Sequence, residues 1–368
     1  MVRIPDESTM APGPVISSSR IEPRIAVAGV GGYAGGELAR LLMRHPREAA
    51  REALFLGRGA EESAPVRLSE LHPMLTADPS IKAFPFDWKL LEQERVNVLL
   101  LATPHETSRA WAPKALERGM RVIDLSGAWR LREPENASVY KLHDEDLVKT
   151  KALLEEAVYG LPELHRDAIL SARLVANPGC YATSVILALA PLVRAGLLDL
   201  DRGIVCDAKS GVSGAGKTPT VSTHFMYAAD NLSAYSVFGH RHTGELLEQL
   251  CLSEKQIQFT PHLLPIPRGI LSTIYFWLKQ PSDASAVVDD MRSFYRGCPF
   301  VRVREAGTLP QIQHVVHTNF CDLGLVVDND GDRVVLVACL DNLLKGAAGQ
   351  AVQNLNLMCG WNEPEGLL

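Results

Sequence analysis

Residues 24–46, RIAVAGVGGYAGGELARLLMRHP, contain three local patterns in one continuous stretch. A short apolar run comes first, a glycine-rich turn follows it, and an amphipathic segment then ends before Pro46. Because proline cannot continue a helix, this order predicts a strand, a tight turn and a helix. Such a unit is typical of the first strand and helix of a doubly wound α/β domain.

The same alternation continues downstream. Residues 52–58 (EALFLGR), 96–104 (VNVLLLATP) and 121–127 (RVIDLSG) predict strands, and residues 106–119 (ETSRAWAPKALERG) predict a helix between the last two. Strands that alternate with helices favour a parallel sheet. The first part of the chain is therefore predicted to be a Rossmann-type, doubly wound α/β domain.

The pattern changes after residue 180. Long β-rich runs with turn signals follow, including a predicted hairpin at Asp328 to Asp332, which indicates an α+β domain with a mixed or antiparallel sheet. The last segment is helical again and is expected to pack against the first domain. We therefore divide the chain into a flexible leader (1–22), a first, Rossmann-type domain (23–179 with 343–368) and a second, α+β domain (180–342).

Bulk properties narrow the function classes. The 368 residues are 46% hydrophobic, which is enough for a large core, and the net charge of -6 without a basic run argues against a nucleic-acid surface. No apolar run reaches the roughly 18 to 20 residues that span a bilayer. Seven cysteines without paired short spacings, in a chain with no apolar signal segment, favour free thiols and a cytoplasmic location.

Glycines after the first strand predict a cofactor site. Backbone N–H groups at this position, the start of a helix, bind the pyrophosphate of a dinucleotide. The predicted binding residues are Gly29, Gly31, Gly32, Tyr33, Ala34 and Gly35. Arg58 stands where the second strand of an NAD-binding domain normally supplies an acidic residue, and it could pair with a 2'-phosphate. NADP is therefore favoured over NAD, the alternative being a solvated surface arginine.

A second glycine-rich loop lies at residues 210–217, SGVSGAGK. With Thr218 it satisfies the P-loop expression, but Pro219 prevents the long helix that a P-loop should open. We therefore predict a loop that lines the cofactor or phosphate pocket, through Ser213, Gly214 and Gly216.

Cys180 is the candidate nucleophile. It follows Pro178 and Gly179 at the predicted start of an apolar helix, where the helix dipole and unpaired N–H groups favour a thiolate. The alternative is a buried cysteine that acts as a small hydrophobic residue.

Two histidine segments and two arginines complete the candidates. His240, His242 and His262 form no compact metal-ligand pattern with other residues, so acid-base chemistry is favoured over a metal site. Arg130 and Arg268 could each clamp a carboxylate or acyl phosphate, or form structural ion pairs.

The ordered motifs resemble N-acetyl-gamma-glutamyl-phosphate reductases, the arginine-biosynthesis relatives of aspartate-semialdehyde dehydrogenase. The resemblance covers nearly everything from residue 24 onward. It rests on the glycine turn and on DLSGAWRL (124–131), YGLPEL (159–164), ANPGCYATS (176–184), SGVSGAG (210–216), GHRHTGE (239–245), PHLLPIPRGI (261–270) and DNLLKGAAGQAVQ (341–353).

The resemblance implies a Rossmann domain completed by the C-terminal helix, NADPH as cofactor and a homodimer or homotetramer. It matches Cys180 to the nucleophile and Asn342 to a residue near the nicotinamide. Three positions depart from the family pattern: Ala182 and Ser184 replace the commoner Pro and Gly, and Glu106 stands where a glycine is expected.

The implied reaction is reduction of N-acetyl-glutamyl 5-phosphate to the 5-semialdehyde through a cysteine thioester. We expect His242 to be the acid-base partner of Cys180, oriented by Glu245, with His240 nearer the cofactor or substrate; His240 or His262 could instead be the base. Alternative functions are reduction of an aminoadipyl phosphate in lysine biosynthesis, aspartate-semialdehyde dehydrogenase activity, and a non-catalytic NADP-sensing regulator.

Overall fold

The computed structural model of the chain describes residues 22–57, 64–75, 78 and 80–368. Fifteen strands lie in these ranges: β1 Ile25–Ala28, β2 Leu54–Leu56, β3 Val66–Arg67, β4 Lys82–Phe84, β5 Val98–Leu101, β6 Arg121–Asp124, β7 Val158–Tyr159, β8 Leu174–Ala176, β9 Ile204–Gly211, β10 Ser233–Ala234, β11 Ile257–Leu264, β12 Ile270–Trp277, β13 Val301–Val303, β14 Cys321–Val327 and β15 Arg333–Leu340.

Thirteen α-helices lie in the same described ranges: α1 Tyr33–Met43, α2 Glu48–Arg51, α3 Leu68–Leu71, α4 Trp88–Gln93, α5 His105–Glu117, α6 Pro134–Ala137, α7 Leu147–Glu156, α8 Pro162–Ser171, α9 Cys180–Arg194, α10 Phe225–Ala228, α11 Thr243–Leu250, α12 Ala284–Phe294 and α13 Gly349–Cys359. Short 3-10 turns occur at Ser138–Tyr140, Val212–Ala215, Val221–Thr223 and Ile312–His314, and a π-helical turn at Leu344–Ala348.

The first sheet has eight strands in the order β3-β4-β2-β1-β5-β6-β8-β7. All neighbouring pairs are parallel except the short antiparallel pair of β3 and β4. Strands β1 and β5 are buried at every position, as expected for a parallel sheet covered on both faces. The predicted Rossmann-type sheet is confirmed.

The second sheet has seven strands in the order β10-β11-β9-β12-β15-β14-β13. It is mixed, because β9 pairs with β11 and β13 with β14 in parallel while the other pairs are antiparallel. The predicted hairpin joins β14 to β15, with Gly331 at a φ of +80°. The second predicted fold class is also confirmed.

Helix α9 forms the centre of the second core. Its residues from Tyr181 to Leu192 are buried without interruption, and they pack with apolar side chains from β9, β12 and β15. Side chains on β9 and β12 alternate between buried and more exposed positions, so one face of this sheet covers the core and the other remains open.

The chain returns to the first sheet at its C-terminal end. Leu344, Ala348 and Ala351 share a buried cluster with Ile25 and Leu38, so the π-helical turn and α13 pack beside β1 and α1. This return places residues 341–348 beside both the glycine turn and the start of α9. None of the described helices combines the length and apolar character needed to cross a membrane.

Candidate active site

Cys180 lies where a parallel strand delivers the chain to a helix. Strand β8 ends at Ala176, the chain turns through Pro178 and Gly179, and Cys180 is the first residue of α9. The glycine turn after β1 lies at the same carboxyl edge of the sheet. In doubly wound sheets this edge forms the ligand crevice, so the nucleophile and the dinucleotide turn face a common space.

A close fit at Gly179 brings two further candidates to Cys180. A Cβ atom at position 179 would lie 2.5 Å from His242 Nε2 and 2.7 Å from Glu245 Oε1. The Gly179 N–H also donates a hydrogen bond to Glu245 Oε2 at 2.9 Å. His242 and Glu245 therefore stand directly against the residue that precedes Cys180.

The protonation state of the Cys180 thiol differs from the one that the helix start predicts. Burial raises its pKa above the ordinary value, and Glu245 raises it further, while Arg241, the Tyr181 N–H and Arg130 lower it. The net shift is upward, so the predicted resting thiolate is wrong for the free protein. Burial is the largest of these effects, and it favours the protonated thiol over the thiolate.

His242 has the properties of a base for this thiol. It is 5% exposed, and burial, the His240 ring and neighbouring arginines hold its pKa well below the ordinary value. The imidazole is therefore neutral near pH 7. Its Nε2 atom lies against Gly179, the residue before Cys180, and its Nδ1 atom is buried without a hydrogen-bond partner among the described residues.

His240 packs against His242. The two ring centroids are 4.7 Å apart with nearly perpendicular planes, and the His242 N–H donates to His240 Nδ1 at 3.2 Å. Burial lowers the pKa of His240 to about 4. Through that hydrogen bond His240 orients the backbone of His242. His240 also lines a neighbouring cavity of about 360 Å³ with Tyr235 and Arg241.

Glu245 is fully buried and makes more contacts than its predicted role requires. It accepts hydrogen bonds from Arg130 Nη1 at 3.1 Å and from the Tyr159 hydroxyl at 2.6 Å, besides the Gly179 N–H. His242 Nε2 is 4.0 Å from Oε1, beyond hydrogen-bond distance. Glu245 thus holds the turn before Cys180, and its predicted role in orienting His242 stays a prediction.

Arg130 faces inward. Its Nε donates to the Asn177 carbonyl at 2.7 Å and its Nη2 to the Leu125 carbonyl at 2.8 Å, and the ion pair with Glu245 completes its set of partners. Burial lowers its pKa, but nearby acidic groups, Glu245 first, produce a net increase. The structure contains the ion pair that the sequence left as an alternative, while a substrate contact by Arg130 remains a prediction.

The glycine turn packs closely against its own backbone and against Ala102. Gly29 has a φ of +83°, and a Cβ there would lie 2.3 Å from the Ala102 carbonyl oxygen. A Cβ at Gly35 would lie 2.3 Å from the Gly29 carbonyl oxygen, whereas Gly31 faces open space. Gly32 precedes α1 without any side-chain cap, so the helix N–H groups are available to a pyrophosphate.

The second glycine loop lies opposite. Asn342 accepts a hydrogen bond from the Gly269 N–H at 2.8 Å and donates to Ser213 Oγ at 2.8 Å, which anchors the 3-10 turn. Lys217 Nζ donates to the Gly31 carbonyl at 3.1 Å and so joins the two loops. The turn continues into Thr218 without a long helix, in agreement with the argument against a P-loop.

One cavity of about 290 Å³ joins these parts. Of the site residues that the sequence predicts, those that line this cavity are Gly32, Tyr33, Ala34, Gly35, Cys180, His242, Arg130, Ser213, Gly214, Gly216 and Asn342. The cavity therefore brings Cys180 together with two glycine loops, and glycine loops at helix starts are the kind of residues that hold the phosphates of a dinucleotide.

Two domain families of semialdehyde dehydrogenases match the chain. The NAD binding domain matches residues 24–172 and the dimerisation domain matches residues 180–342. Proteins named N-acetyl-gamma-glutamyl-phosphate reductase are similar over almost the whole chain. The one from Symbiobacterium thermophilum is 44% identical over 94% of this chain and 97% of its own length, and the one from Bacillus subtilis is 42% identical over 94% and 98%.

The chain belongs to the N-acetyl-gamma-glutamyl-phosphate reductase family.

Solved structures of aspartate semialdehyde dehydrogenases share the fold of this reductase family. The Vibrio cholerae enzyme II superposes with a TM-score of 0.67 at 19% identity, covering 92% of this chain and 98% of its own. The Candida albicans enzyme, solved with NADP, has a TM-score of 0.63 at 14% identity and covers 92% and 98%.

Some predicted residues lie elsewhere. Arg268 pairs with Glu37, with 2.9 Å between Nη2 and Oε1, and lines an adjoining cavity that shares Tyr33, Ser213, Gly216, Lys217 and Leu343 with the Cys180 cavity. His262 pairs with Asp207, at 3.1 Å, away from the lining of the Cys180 cavity. Arg58 lies outside the described residues. The structure thus brings neither Arg268 nor His262 to the nucleophile.

The departures at 106, 182 and 184 are accommodated. Glu106 is exposed in the first turn of α5 and lines a separate surface groove, while Ala182 and Ser184 are buried in α9. Ser184 Oγ is 2.7 Å from Ser272 Oγ, which satisfies its hydroxyl. These positions leave the lining of the Cys180 cavity intact.

Three residues beside the reacting groups were not predicted. Tyr159 and Arg241 lie within the YGLPEL and GHRHTGE motifs, but no local pattern indicates that the Tyr159 hydroxyl donates to Glu245 or that Arg241 Nη1 reaches His105 Nε2. Gly346, in the π-helical turn, packs so closely that a Cβ there would lie 2.7 Å from Cys180 Cβ. Its only sequence signal is the run of small residues KGAAG. Among the described residues, no cluster of three or more His, Cys, Asp or Glu side chains could hold a metal ion.

Proposed function

We propose that this chain reduces N-acetyl-glutamyl 5-phosphate to N-acetyl-glutamate 5-semialdehyde and phosphate with NADPH, a step of arginine biosynthesis. The observation that carries the proposal is the single cavity shared by Cys180, His242 and the glycine turn. The names of relatives that are 41 to 44% identical support the choice of substrate.

Cys180 supplies the nucleophile. Its sulfur attacks the acyl carbon, the carbon–oxygen bond to phosphate breaks, and a thioester remains on the enzyme. His242, neutral because its pKa is depressed, takes the thiol proton as the carbon–sulfur bond forms. NADPH, when bound, would supply the hydride that converts the thioester to the oxyanion of a hemithioacetal, and the departing phosphate takes from solvent the one proton that the reduction consumes. When the carbon–sulfur bond then breaks, the aldehyde leaves and His242 returns a proton to the sulfur.

The other residues position these groups. Glu245 and Arg130 hold the turn before Cys180, and Asn342 with Ser213 holds the loop opposite the glycine turn. Gly29 and Gly35 permit the close internal packing of the turn, and Gly32 precedes α1 without a side-chain cap, which leaves the helix N–H groups to the pyrophosphate. A substrate contact by Arg130 or Arg268 belongs to the proposal, with Arg130 the better placed because it lines the same cavity as Cys180.

Preference for NADP over NAD rests on Arg58, which follows β2 in the sequence. Arg58→Ala should raise the KM for NADPH and leave that for NADH nearly unchanged. Equal losses with the two cofactors would remove the 2'-phosphate role and leave Arg58 as a surface arginine.

The domain division at residues 179/180 and 342/343 is also part of the proposal, as is assembly into a homodimer or homotetramer in the cytoplasm. The match of residues 180–342 to a dimerisation domain supports a dimer, and the open face of the second sheet provides a surface for it. All seven cysteines are free, which supports a reducing compartment.

Phosphate-dependent reduction of NADP tests the function. The purified protein is given N-acetyl-glutamate 5-semialdehyde, aspartate semialdehyde or the one-methylene-longer aminoadipate semialdehyde, each with and without phosphate. We expect the largest kcat/KM with the first aldehyde. One methylene discriminates by about 10- to 200-fold. A larger value with another aldehyde would reassign the substrate, and full activity of Cys180→Ala would exclude the thioester route.

A further inference from the structure

A buried ion pair lies behind the active-site wall. Lys345 and Glu163 are each fully buried, and Lys345 Nζ is 2.7 Å from Glu163 Oε1. The same ammonium donates to Gln353 Oε1 at 2.7 Å and lies 5.7 Å from the centroid of the Phe300 ring. Neither charged residue lines the cavity that contains Cys180, and the proposed chemistry does not use them.

Lys345 belongs to the π-helical turn, and the next residue in that turn contacts the nucleophile. The turn is closed by the Gly346 N–H, which donates to the Asp341 carbonyl, and by the Ala348 N–H, which donates to the Leu343 carbonyl. A Cβ at Gly346 would lie 2.7 Å from Cys180 Cβ and 3.2 Å from its Cα. The backbone of this turn is therefore the wall against which Cys180 is seated.

The same wall is joined to the other side of the nucleophile. Asn177 Nδ2 donates to the Ala347 carbonyl at 3.1 Å, and the Asn177 carbonyl accepts from Arg130. Arg130 pairs with Glu245, which accepts from the Gly179 N–H. A displacement of the π-helical turn would thus reach Cys180 both directly and through this chain of hydrogen bonds.

The polar contacts around Lys345 specify one position for the turn. Gln353 Nε2 donates to Glu163 and to Glu363, so α13, α8 and the π-helical turn meet at one network. Burying two charges is costly, and two apolar side chains of similar size would stabilise a core as well. A buried pair instead tolerates little displacement, because separation would leave each charge uncompensated. A π-helical turn is a rare backbone state that needs such support.

We propose that the Lys345–Glu163 pair is a positioning pair, which holds the π-helical turn against Cys180 and thereby sets the reactivity of its thiol. The inference rests on the proposed function in that Cys180 is taken to be the nucleophile. Its test uses alkylation of the thiol, which needs neither substrate nor cofactor.

The variants are Lys345→Met, Glu163→Gln and the double variant that combines them. The double variant removes both charges at once, so it avoids leaving one buried charge unpaired and keeps the experiment informative if Lys345→Met folds poorly. The control is Asp322→Asn, which removes another fully buried carboxylate, paired with Arg302 and Arg304 on the second sheet. The hydrogen bonds and ion pairs that the described residues give the Asp322 carboxylate go to Arg302 and Arg304, and none goes to the π-helical turn.

Three quantities are measured on the full chain: the urea midpoint, the rate of Cys180 alkylation by iodoacetamide between pH 6 and 10, and kcat with KM. We expect Lys345→Met to lower the urea midpoint, the rate of Cys180 alkylation and kcat, the last by roughly ten- to a hundredfold. The KM for NADPH should stay unchanged. In the double variant the urea midpoint should recover, while kcat and the pH profile of alkylation should stay altered. Asp322→Asn should lower the midpoint and leave the alkylation profile unchanged.

A double variant that recovers kcat and the alkylation profile together with the midpoint would show that the pair only stabilises the fold. An unchanged profile in Lys345→Met would equally overturn the proposal. Because alkylation is independent of substrate, a wild-type protein that fails to reduce NADP would count against the proposed function alone.

Discussion

At the scale of single residues, the reacting pair is neutral at rest. Burial raises the pKa of Cys180 and lowers that of His242, so both shifts favour a thiol beside an uncharged imidazole near pH 7. The arrangement differs from a preformed thiolate–imidazolium pair. In the proposed mechanism, ionisation of the thiol would accompany attack on the substrate, with His242 as the proton acceptor.

This arrangement predicts different effects for the two neighbouring histidines. His242→Asn should abolish turnover and move the titration of the Cys180 thiol upward, because the proton acceptor is lost. His240→Asn should reduce turnover less, because His240 contacts the backbone of His242 and its ring lies in the adjoining cavity. The measurement is the alkylation rate of Cys180 against pH, followed by peptide mass spectrometry in each variant. An unchanged profile in His242→Asn would exclude it as the base.

Residue-level features divide into those that local sequence predicts and those that it does not. Pro178 and Gly179 predicted the helix start at Cys180, and the structure has it there. The sign of the thiol pKa shift was not predictable, because the burial comes from Gly346 and from the histidine segment, which are distant in sequence. Likewise Arg130 and Glu245 are 115 positions apart, and no local pattern pairs them.

At the scale of elements, the proposed cofactor site depends on the glycine turn between β1 and α1. Gly35→Ala would place a Cβ 2.3 Å from the Gly29 carbonyl oxygen and 2.7 Å from the Val30 Cα, so the turn must open. We expect the KM for NADPH to rise at least about tenfold, since a small misplacement of a binding group can have a large effect. The matched control is Gly31→Ala, whose Cβ would meet open space in the free protein.

The Gly35 prediction is checked by fluorescence titration with NADPH and by steady-state kinetics. An NADPH affinity equal to that of wild type in Gly35→Ala would show that the turn does not bind the pyrophosphate. A similar loss in both variants would indicate that the ligand itself, and not the internal packing of the turn, excludes a methyl group at this site.

Elements with a strong hydrophobic periodicity or with clear turn residues at their ends were predicted correctly. The alternating apolar strands and helices of the first half, the mixed second sheet and the Asp328 hairpin all match the structure. The π-helical turn at 344–348 was not predicted, because KGAAG reads as ordinary helix in local terms. Its conformation depends on Cys180, Asn177 and the buried Glu163, which are brought to it only by the folded chain.

At the scale of the whole molecule, buried neutral histidines couple stability to pH. The pKa of His240 is about 4 and that of His242 lies well below its ordinary value of 6.5. The unfolded chain takes up a proton at each residue below about pH 6.5, while the folded chain does not. Stability is therefore complete above that pH and falls as pH decreases towards 4, by about 1 kcal/mol per pH unit for each histidine.

Urea unfolding at pH 7.5, 6.0 and 5.0 checks this dependence. The free energy of unfolding should decrease as the pH is lowered. His240→Asn should make this decrease less steep, because unfolding then takes up about one proton fewer. A wild-type free energy that is constant or rises between pH 7.5 and 5.0 would show that the histidines are not held neutral in the folded protein.

The central claim is that Cys180 carries the acyl group during turnover. Intact-protein mass spectrometry after incubation with N-acetyl-glutamate 5-semialdehyde and NADP, without phosphate, tests it most directly, because the thioester then has no phosphate to accept its acyl group. The account predicts one N-acetyl-glutamyl adduct that maps to Cys180, disappears when phosphate is added and is absent from Cys180→Ser. An adduct on another cysteine, or phosphate-dependent turnover by Cys180→Ser at the wild-type rate, would contradict the account.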